Sequence, residues 1–260
     1  HMVAREHSIL ADFLPNDRIL ENRVREQTQY TLSTNLGYEI NANSSARFNA
    51  LYSQNDNPTK VSRRTVDLRN PGSVPFDERE FIPGEQSNWE IGGDYEYIFG
   101  NGNRAKVLFI TNENDTASTR ERFVVDASGE ETKNLFLDAA SILQERIVRG
   151  SYTMKLFDQQ SVEFGLERAQ TILESDLLMG LALDSGTPSV AYGGLVPVTV
   201  TNANTRVEEI RYEPFAIDNW RLNSRMSLET SLIYETSEIE QAGEFINTRS
   251  FEFFKPKLDF

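Results

Sequence analysis

Cysteine is absent from this chain of 260 residues, and histidine occurs only twice, at His1 and His7. Disulfide bonds and thiolate metal sites are therefore excluded, and a Ser-His-Asp arrangement would depend on His7 alone. No apolar run approaches the roughly 18 residues of a membrane helix. We predict a protein that is not an enzyme, with no catalytic residues, no metal site and no cofactor.

Basic residues are scarce relative to acidic ones. Lys and Arg total 26 against 40 Asp and Glu, which gives a formal net charge of -14. Nucleic-acid phosphates repel such a chain, so we predict no nucleic-acid partner. Only 38% of the residues are hydrophobic and the mean hydropathy is -0.48. That average is compatible with a membrane sheet, because only every second residue of its strands contacts lipid.

Four short polar turns each join two runs in which apolar and polar residues alternate. The turns lie at 41–44, 100–103, 158–160 and 223–225. Period-two alternation predicts β-strands, and short Asn- and Gly-containing connections predict hairpins. Long polar stretches separate one hairpin from the next. The sequence therefore predicts an all-β antiparallel meander, an outer-membrane β-barrel or a fragment of one.

The two faces of the predicted strands differ in chemistry. One face carries apolar and aromatic residues, which are Tyr30, Leu32, Leu36, Tyr38, Trp89, Ile91, Tyr95, Tyr97 and Phe99. The opposite face carries Glu39, Arg47, Glu90, Asp94 and Glu96. Unpaired carboxylates are costly inside a protein core, whereas a water-filled lumen leaves them solvated. We therefore predict that the first set faces lipid and the second lines a lumen.

The length of one strand agrees with this prediction. Trp89 and Phe99 are separated by about 33 Å at roughly 3.3 Å per residue, or about 25 Å along the membrane normal at a tilt of about 40°. This is the height of a barrel's apolar band. Aromatic residues at both ends are typical of an interfacial girdle, and ordinary core aromatics are the alternative.

The alternation predicts ten strands. They lie near 7–14, 27–40, 45–55, 88–99, 104–114, 141–157, 161–173, 206–222, 226–238 and 249–260. Outside loops are expected at 15–26, 56–87, 115–140, 174–205 and 239–248. Within the third of these, 120–125 and 132–137 flank a turn and predict a hairpin. Residues 1–6 are expected to be an expression remnant and flexible start, and 7–260 the barrel segment.

Two segments carry a resemblance to a known family. Residues 228–237, followed by Gly243 and then 249–260 with its Lys-Pro-Lys-Leu-Asp, resemble the middle of the barrel of TonB-dependent outer-membrane receptors. The resemblance implies a barrel of 22 strands filled by an amino-terminal plug. It also implies uptake driven by an inner-membrane energy-coupling complex. Neither the plug nor the energy-coupling box is found in this sequence, so contact with TonB is expected only through a plug that is absent here.

Our leading hypothesis is a part of an outer-membrane receptor that binds and imports a scarce ligand, such as an iron chelate, a vitamin or an oligosaccharide. Its expected partners are outer-membrane lipid and that ligand. Phe260 as a terminal aromatic leaves a complete small ten-stranded barrel open. A soluble all-β binding module, carbohydrate-binding or adhesin-like, is the alternative from another class.

Overall fold

A computed structural model describes residues 2–10, 13–70 and 72–260. These form one antiparallel sheet. The strands are β1 (Met2–Ile9), β2 (Pro15–Arg25), β3 (Thr28–Asn41), β4 (Ser44–Asp56), β5 (Thr59–Asp67), β6 (Phe76–Ile82), β7 (Gly84–Ile98), β8 (Arg104–Val125), β9 (Glu131–Phe157), β10 (Gln160–Leu181), β11 (Val196–Pro197), β12 (Thr205–Arg221), β13 (Ser227–Gly243) and β14 (Asn247–Asp259). The predicted all-β antiparallel meander is confirmed.

Three long strands are interrupted rather than terminated. β2 continues into β3 after two residues, β4 into β5 after Asn57-Pro58, and β6 into β7 after Pro83. Proline cannot donate a backbone hydrogen bond to a neighbouring strand, so Pro58 and Pro83 break the ladder locally. Counting each interrupted pair once, and leaving out the two-residue β11, the sheet has ten long strands, as the alternation predicts.

The four short turns are where the sequence places them. Three use an asparagine whose side-chain oxygen accepts a hydrogen bond from the backbone N–H two residues later: Asn41 from Asn43 at 2.8 Å, Asn101 from Asn103 at 3.1 Å, and Asn223 from Arg225 at 2.9 Å. This local bond stabilises a turn before the strands pair.

Most of the segments expected to be loops are strands instead. Residues 2–9 form β1 rather than a flexible start, and 15–25 form β2. β5 and β6 occupy much of 56–87, β8 and β9 extend to within five residues of each other across 126–130, β10 continues to Leu181, and β13 to Gly243. The predicted hairpin around 126–129 is confirmed, with Gly129 at φ 88. The polar extensions remain strands because neighbouring extensions pair with them.

Residues 182–204 form the longest irregular connection in the described part of the chain. They contain a short 3₁₀ helix, Val190–Tyr192, and β11, which pairs with the end of β10. Lys133 donates to the carbonyl oxygen of Gly193 at 3.1 Å, so the connection is held against β9. The apolar residues 177–181 are the last part of β10.

The sheet does not close on itself within the described residues. At the short-turn end its outermost strands are β3, paired only with β4, and β14, paired only with β13. Every residue of both strands is exposed. Both strands run towards the short turns, so a direct pair between them would be parallel. A closed ten-stranded antiparallel barrel is therefore not what this structure contains.

One face of the sheet is more enclosed than the other. Eleven non-glycine residues are buried, and nine lie on the face that carries Glu90 and Asp94, here called the polar face. Only five of the eleven are hydrophobic. No second sheet covers either face among the described residues, so the molecule lacks the core of a β-sandwich.

Candidate functional site

Strand register separates two adjoining rows of residues onto opposite faces. One row crosses seven strands with apolar residues only: Tyr38, Ala46, Tyr95, Val107, Gly150, Leu166 and Pro214. The pair Tyr234–Phe254 continues the same face on β13 and β14. The next row crosses the same strands on the polar face: Gly37, Arg47, Asp94, Leu108, Arg149, Glu167 and Glu213. The row on the polar face thus contains five charged residues, and the adjoining row on the apolar face contains none.

The residues selected from sequence segregate in the same way. Tyr30, Leu32, Leu36, Tyr38, Trp89, Ile91, Tyr95 and Tyr97 share the apolar face through their cross-strand partners. Phe99 joins them by packing its ring against Tyr97 at 4.9 Å. Glu39, Arg47, Glu90, Asp94 and Glu96 share the polar face. Contact of the apolar face with lipid stays a prediction.

Aromatic rings form a chain at the short-turn end of the apolar face. Tyr97 meets Phe99, Phe99 meets Tyr152 at 5.8 Å, and Tyr152 meets Phe164 at 5.6 Å. The Tyr152 hydroxyl accepts a hydrogen bond from the turn residue Asn103 at 2.8 Å. The rings thus pack against one another at the short-turn end of the apolar face, and the Tyr152 hydroxyl is hydrogen-bonded to the polar turn. This is the arrangement expected of an interfacial belt.

A network of ion pairs, here called the lower lattice, covers the polar face of β9 to β14. Its members are Arg149, Glu163, Glu167, Arg211, Glu213, Glu235 and Lys255. Arg211 lies between Glu167 and Glu213, 3.6 Å from each. Lys255 contacts both Glu213 and Glu235. Because each cation contacts two carboxylates, three bases connect all four acids into one network.

The lower lattice is anchored on an aromatic ring. The Arg149 guanidinium lies 4.1 Å from the centroid of the Phe215 ring, and Phe215 is buried. A Cβ at Gly165 would lie 2.6 Å from this ring, so the glycine makes room for it. The Arg149 side chain is thus held both by the Phe215 ring and by its ion pairs with Glu163 and Glu167.

A second network, the upper lattice, lies on the polar face of the strand extensions. It consists of Glu21, Arg63, Glu78, Glu80, Arg120 and Arg122. Arg63 reaches Glu21 at 2.8 Å, Glu78 at 3.2 Å and Glu80 at 3.5 Å. Arg120 donates two hydrogen bonds to Glu80, at 2.7 and 3.0 Å. The Glu80 side chain is only 2% exposed, so its charge depends on these partners.

The ion pairs of the upper lattice lower the pKa of Glu21. The hydrogen bonds that Arg63 donates to this carboxylate hold the pKa of Glu21 below its ordinary value of 4.5. Burial acts in the opposite direction, and the nearby charge of Arg23 adds to the lowering. Glu21 is therefore a charged acceptor over a wide pH range.

Comparisons with known proteins find similarity among solved structures. No family model matches the chain, and no curated protein matches it. A solved structure that is similar is that of the alcaligin outer-membrane receptor FauA from Bordetella pertussis, with 10% identity and a TM-score of 0.40. The match covers 94% of this chain and 39% of that one, so the chain spans about two fifths of the receptor's length.

The described residues contain no group of three or more His, Cys, Asp or Glu placed to hold a metal ion. In that same part of the chain, no helix is long and apolar enough to cross a membrane. The polar face offers fixed charges, amides and hydroxyls. Such a surface can hold or pass a polar ligand by ion pairing and hydrogen bonding.

Sequence reasoning missed both lattices. Most of the upper lattice falls in segments assigned to loops, although Glu78 and Glu80, like Val61 and Arg63, are spaced two apart as on one strand face. The lower lattice lies on predicted strands, and the alternation of Arg211 and Glu213 with Tyr212 and Pro214 was the available signal. Which charges pair depends on register between strands, which alternation within one strand does not reveal.

Proposed function

We propose that this chain is a membrane-spanning part of an outer-membrane β-barrel receptor. Its apolar face contacts lipid, and its polar face lines the path of an imported ligand. The observation that carries the proposal is the pair of adjoining rows: uninterrupted apolar residues on one face of seven strands, and five charged residues on the other. A soluble sheet has no reason to keep an exposed apolar row across seven strands.

The apolar face has a limited height, which supports the proposal. On β3 it extends from Tyr30 to Tyr38, about 26 Å along the strand and about 20 Å along a membrane normal at a tilt of roughly 40°. Farther from the short turns the same face becomes polar on β8 and β9, where Glu113 opposes Gln144 and Thr111 opposes Arg146. Strands that continue beyond the membrane are expected to be polar on both faces.

The finer assignment is a TonB-dependent receptor for a scarce ligand. It is supported by the two segments that resemble this family, which form β13 and β14 and pair with each other. The iron chelate, vitamin or oligosaccharide would cross along the lattices, and coupling to TonB would require a plug domain. The proposed activity is binding and passage without bond breaking.

Single-cysteine labelling tests the sidedness without background, because the chain has no cysteine. Val107 lies on the apolar face and Leu108, its neighbour on β8, on the polar face. With the chain refolded into vesicles, we expect a fluorophore at Val107→Cys to be quenched by brominated lipid chains. A fluorophore at Leu108→Cys should be quenched by aqueous iodide instead. Equal quenching of both labels by iodide would contradict the proposal.

A soluble binding module remains the second candidate, favoured by the mean hydropathy of -0.48. In water, something must cover the exposed apolar row, since no second sheet does so among the described residues. If the chain is monodisperse without detergent and its Val107 label is shielded from iodide, the soluble reading is supported. Aggregation that detergent reverses supports the membrane reading.

A further inference from the structure

Two arginines lie side by side on the apolar face, at the level where β9 and β10 become polar. Arg168 opposes Val148 across the two strands, and Arg146 lies two residues before Val148 on β9. Diagonal neighbours of this kind are about 7–8 Å apart. β9 and β10 each pair with another strand on both sides, so neither arginine lies at an edge of the sheet.

Both guanidinium groups lack a carboxylate partner, although the chain has a net charge of -14. Neither forms an ion pair within the part of the chain that the structure describes. Arg146 donates a hydrogen bond to the side-chain oxygen of Gln144 at 3.4 Å, and the Arg168 guanidinium lies 6.0 Å from the centroid of the Tyr212 ring. These contacts orient the two side chains without neutralising their charge.

Acidic residues farther from the short turns on this face already have partners. Glu113 opposes Gln144 and accepts a hydrogen bond from it at 2.6 Å. Glu208, on β12, accepts hydrogen bonds at 2.6 Å from both Arg206 and Gln170. The two unpaired arginines therefore form a small region of positive charge where the apolar surface ends.

We propose that Arg146 and Arg168 bind the phosphate monoester of a membrane-lipid headgroup. A phosphate monoester carries about 1.5 to 2 negative charges at neutral pH, which two guanidinium groups balance, and each guanidinium fork matches two of its oxygens. Leu166 and Val148 follow the two arginines towards the short turns, so the acyl chains of the same lipid can lie along them. The inference rests on the proposed function, because it requires the apolar face to contact lipid.

The depth of the two arginines favours a lipid headgroup over a dissolved anion. Arg168 is eight residues from Gln160, the first residue of β10, or about 20 Å along a membrane normal at a tilt of roughly 40°. Arg146 is eleven residues from Phe157, the last residue of β9, or about 28 Å along the same normal. These depths bracket the height of an apolar band, about 25 Å. The pair therefore lies at the level of headgroups on the side away from the short turns.

Native mass spectrometry of the full chain, refolded in detergent, tests the proposal by counting bound lipids. The probes are phosphatidic acid, a monoester, phosphatidylglycerol, a diester with one negative charge, and phosphatidylcholine, which has no net charge. We expect phosphatidic acid to bind about tenfold more tightly than phosphatidylcholine, with phosphatidylglycerol between them. Arg146→Gln and Arg168→Gln should each weaken phosphatidic acid binding about five- to tenfold and leave phosphatidylcholine unchanged.

Two sets of variants control for charge and for folding. Arg225→Gln removes an exposed arginine from a short turn at the other end of the strands, and we expect it to leave phosphatidic acid binding unchanged. Arg146→Lys and Arg168→Lys keep the charge and lose the fork, so they should retain part of the binding. They also serve where a glutamine variant does not fold.

Three results overturn the proposal. The first is equal binding of phosphatidic acid and phosphatidylcholine. The second is a loss in Arg225→Gln as large as that in Arg146→Gln and Arg168→Gln. The third is displacement of phosphatidic acid by an equal concentration of inorganic phosphate, which would assign the site to a dissolved anion.

Failure of this inference is distinguishable from failure of the proposed function. If lipid quenches the Val107 label and phosphatidic acid has no preference, the membrane sheet stands and the phosphate site is wrong. If lipid does not quench that label, the proposed function is wrong, and the lipid site is wrong with it.

Discussion

The loss of folding free energy caused by a charge at position 107 should distinguish a lipid-facing sheet from a water-facing one. Val107 is 52% exposed and opposes Tyr95 and Gly150 on the neighbouring strands. It lies four residues from the turn residue Asn103, about 13 Å along β8 and about 10 Å along a membrane normal at a tilt of roughly 40°. In an apolar band about 25 Å high, this depth is close to the midplane.

At that depth Val107→Arg should cost about 2–4 kcal/mol, a factor of about 30 to 1,000 in the folding equilibrium. In water the same change at a half-exposed strand position should stay within about 0.5 kcal/mol. Urea unfolding of the chain in phospholipid vesicles measures the difference, with the fluorescence of Trp89 and Trp220 as the probe. Leu108→Arg on the polar face is the control, and it should cost little because Asp94 and Arg149 flank it with opposite charges. Equal penalties for the two variants would refute the assignment of the faces.

Three further effects on stability follow from the polar face. Glu80→Gln should cost about 1–3 kcal/mol, because it replaces the buried carboxylate that accepts two hydrogen bonds from Arg120 with a neutral amide. Gly165→Ala should cost about 1–3 kcal/mol, since the new Cβ would meet the carbonyl oxygen of Gly150 at 2.2 Å and the Phe215 ring at 2.6 Å. Because the pKa of Glu21 is lowered in the folded state, its contribution is present above the unfolded pKa and is lost as pH falls through the folded pKa. Urea titrations from about pH 7 to about pH 3 should therefore show a steeper acid loss in the natural protein than in Glu21→Gln.

Matched controls keep these three measurements interpretable. Arg69→Gln breaks the pair with Asp67, in which the Arg69 side chain is 55% exposed, and should leave the free energy of unfolding nearly unchanged. Gly150→Ala adds a methyl group with no atom within 4 Å. If Arg69→Gln lowers the free energy of unfolding as much as Glu80→Gln does, burial of Glu80 does not make its ion pairs more stabilising than an exposed pair. If Gly150→Ala costs as much as Gly165→Ala, the close contacts of the new Cβ with the Gly150 carbonyl and the Phe215 ring are not the reason for the loss of stability.

The hairpins at the short-turn end were predictable because their signals are local. Asn41 and Asn101 each bond to a backbone N–H two residues away, and the flanking strands alternate between apolar and polar. The extensions were not predictable from alternation. In β5 the run Val61-Ser62-Arg63-Arg64-Thr65 is polar on both faces. β5 is a strand because β2 and β6 pair with it, and those partners are distant in sequence.

In the candidate site, too, the features that depend on one strand were predictable and those that depend on pairing were not. Tyr95 and Asp94 lie on opposite faces because they are neighbours on one strand. The bond from Arg63 to Glu21 joins residues 42 apart, and that from Arg120 to Glu80 joins residues 40 apart. No pattern within a strand predicts such pairs, because they exist only after the sheet has assembled in register.

The lattices also explain why this register is held. A slip of one residue between two strands moves every side chain of one strand to the other face. If β9 slipped by one residue against β8, Arg149 and Glu145 would move to the apolar face, which carries Val107, while Val148 would leave that face. In a membrane each misplaced arginine costs about 2–4 kcal/mol near the midplane, more than a misplaced valine loses. Charges on the polar face therefore oppose the wrong register more strongly than apolar residues favour the right one. The polar face that we propose to line the ligand's path is thus also the face that fixes the register of the sheet.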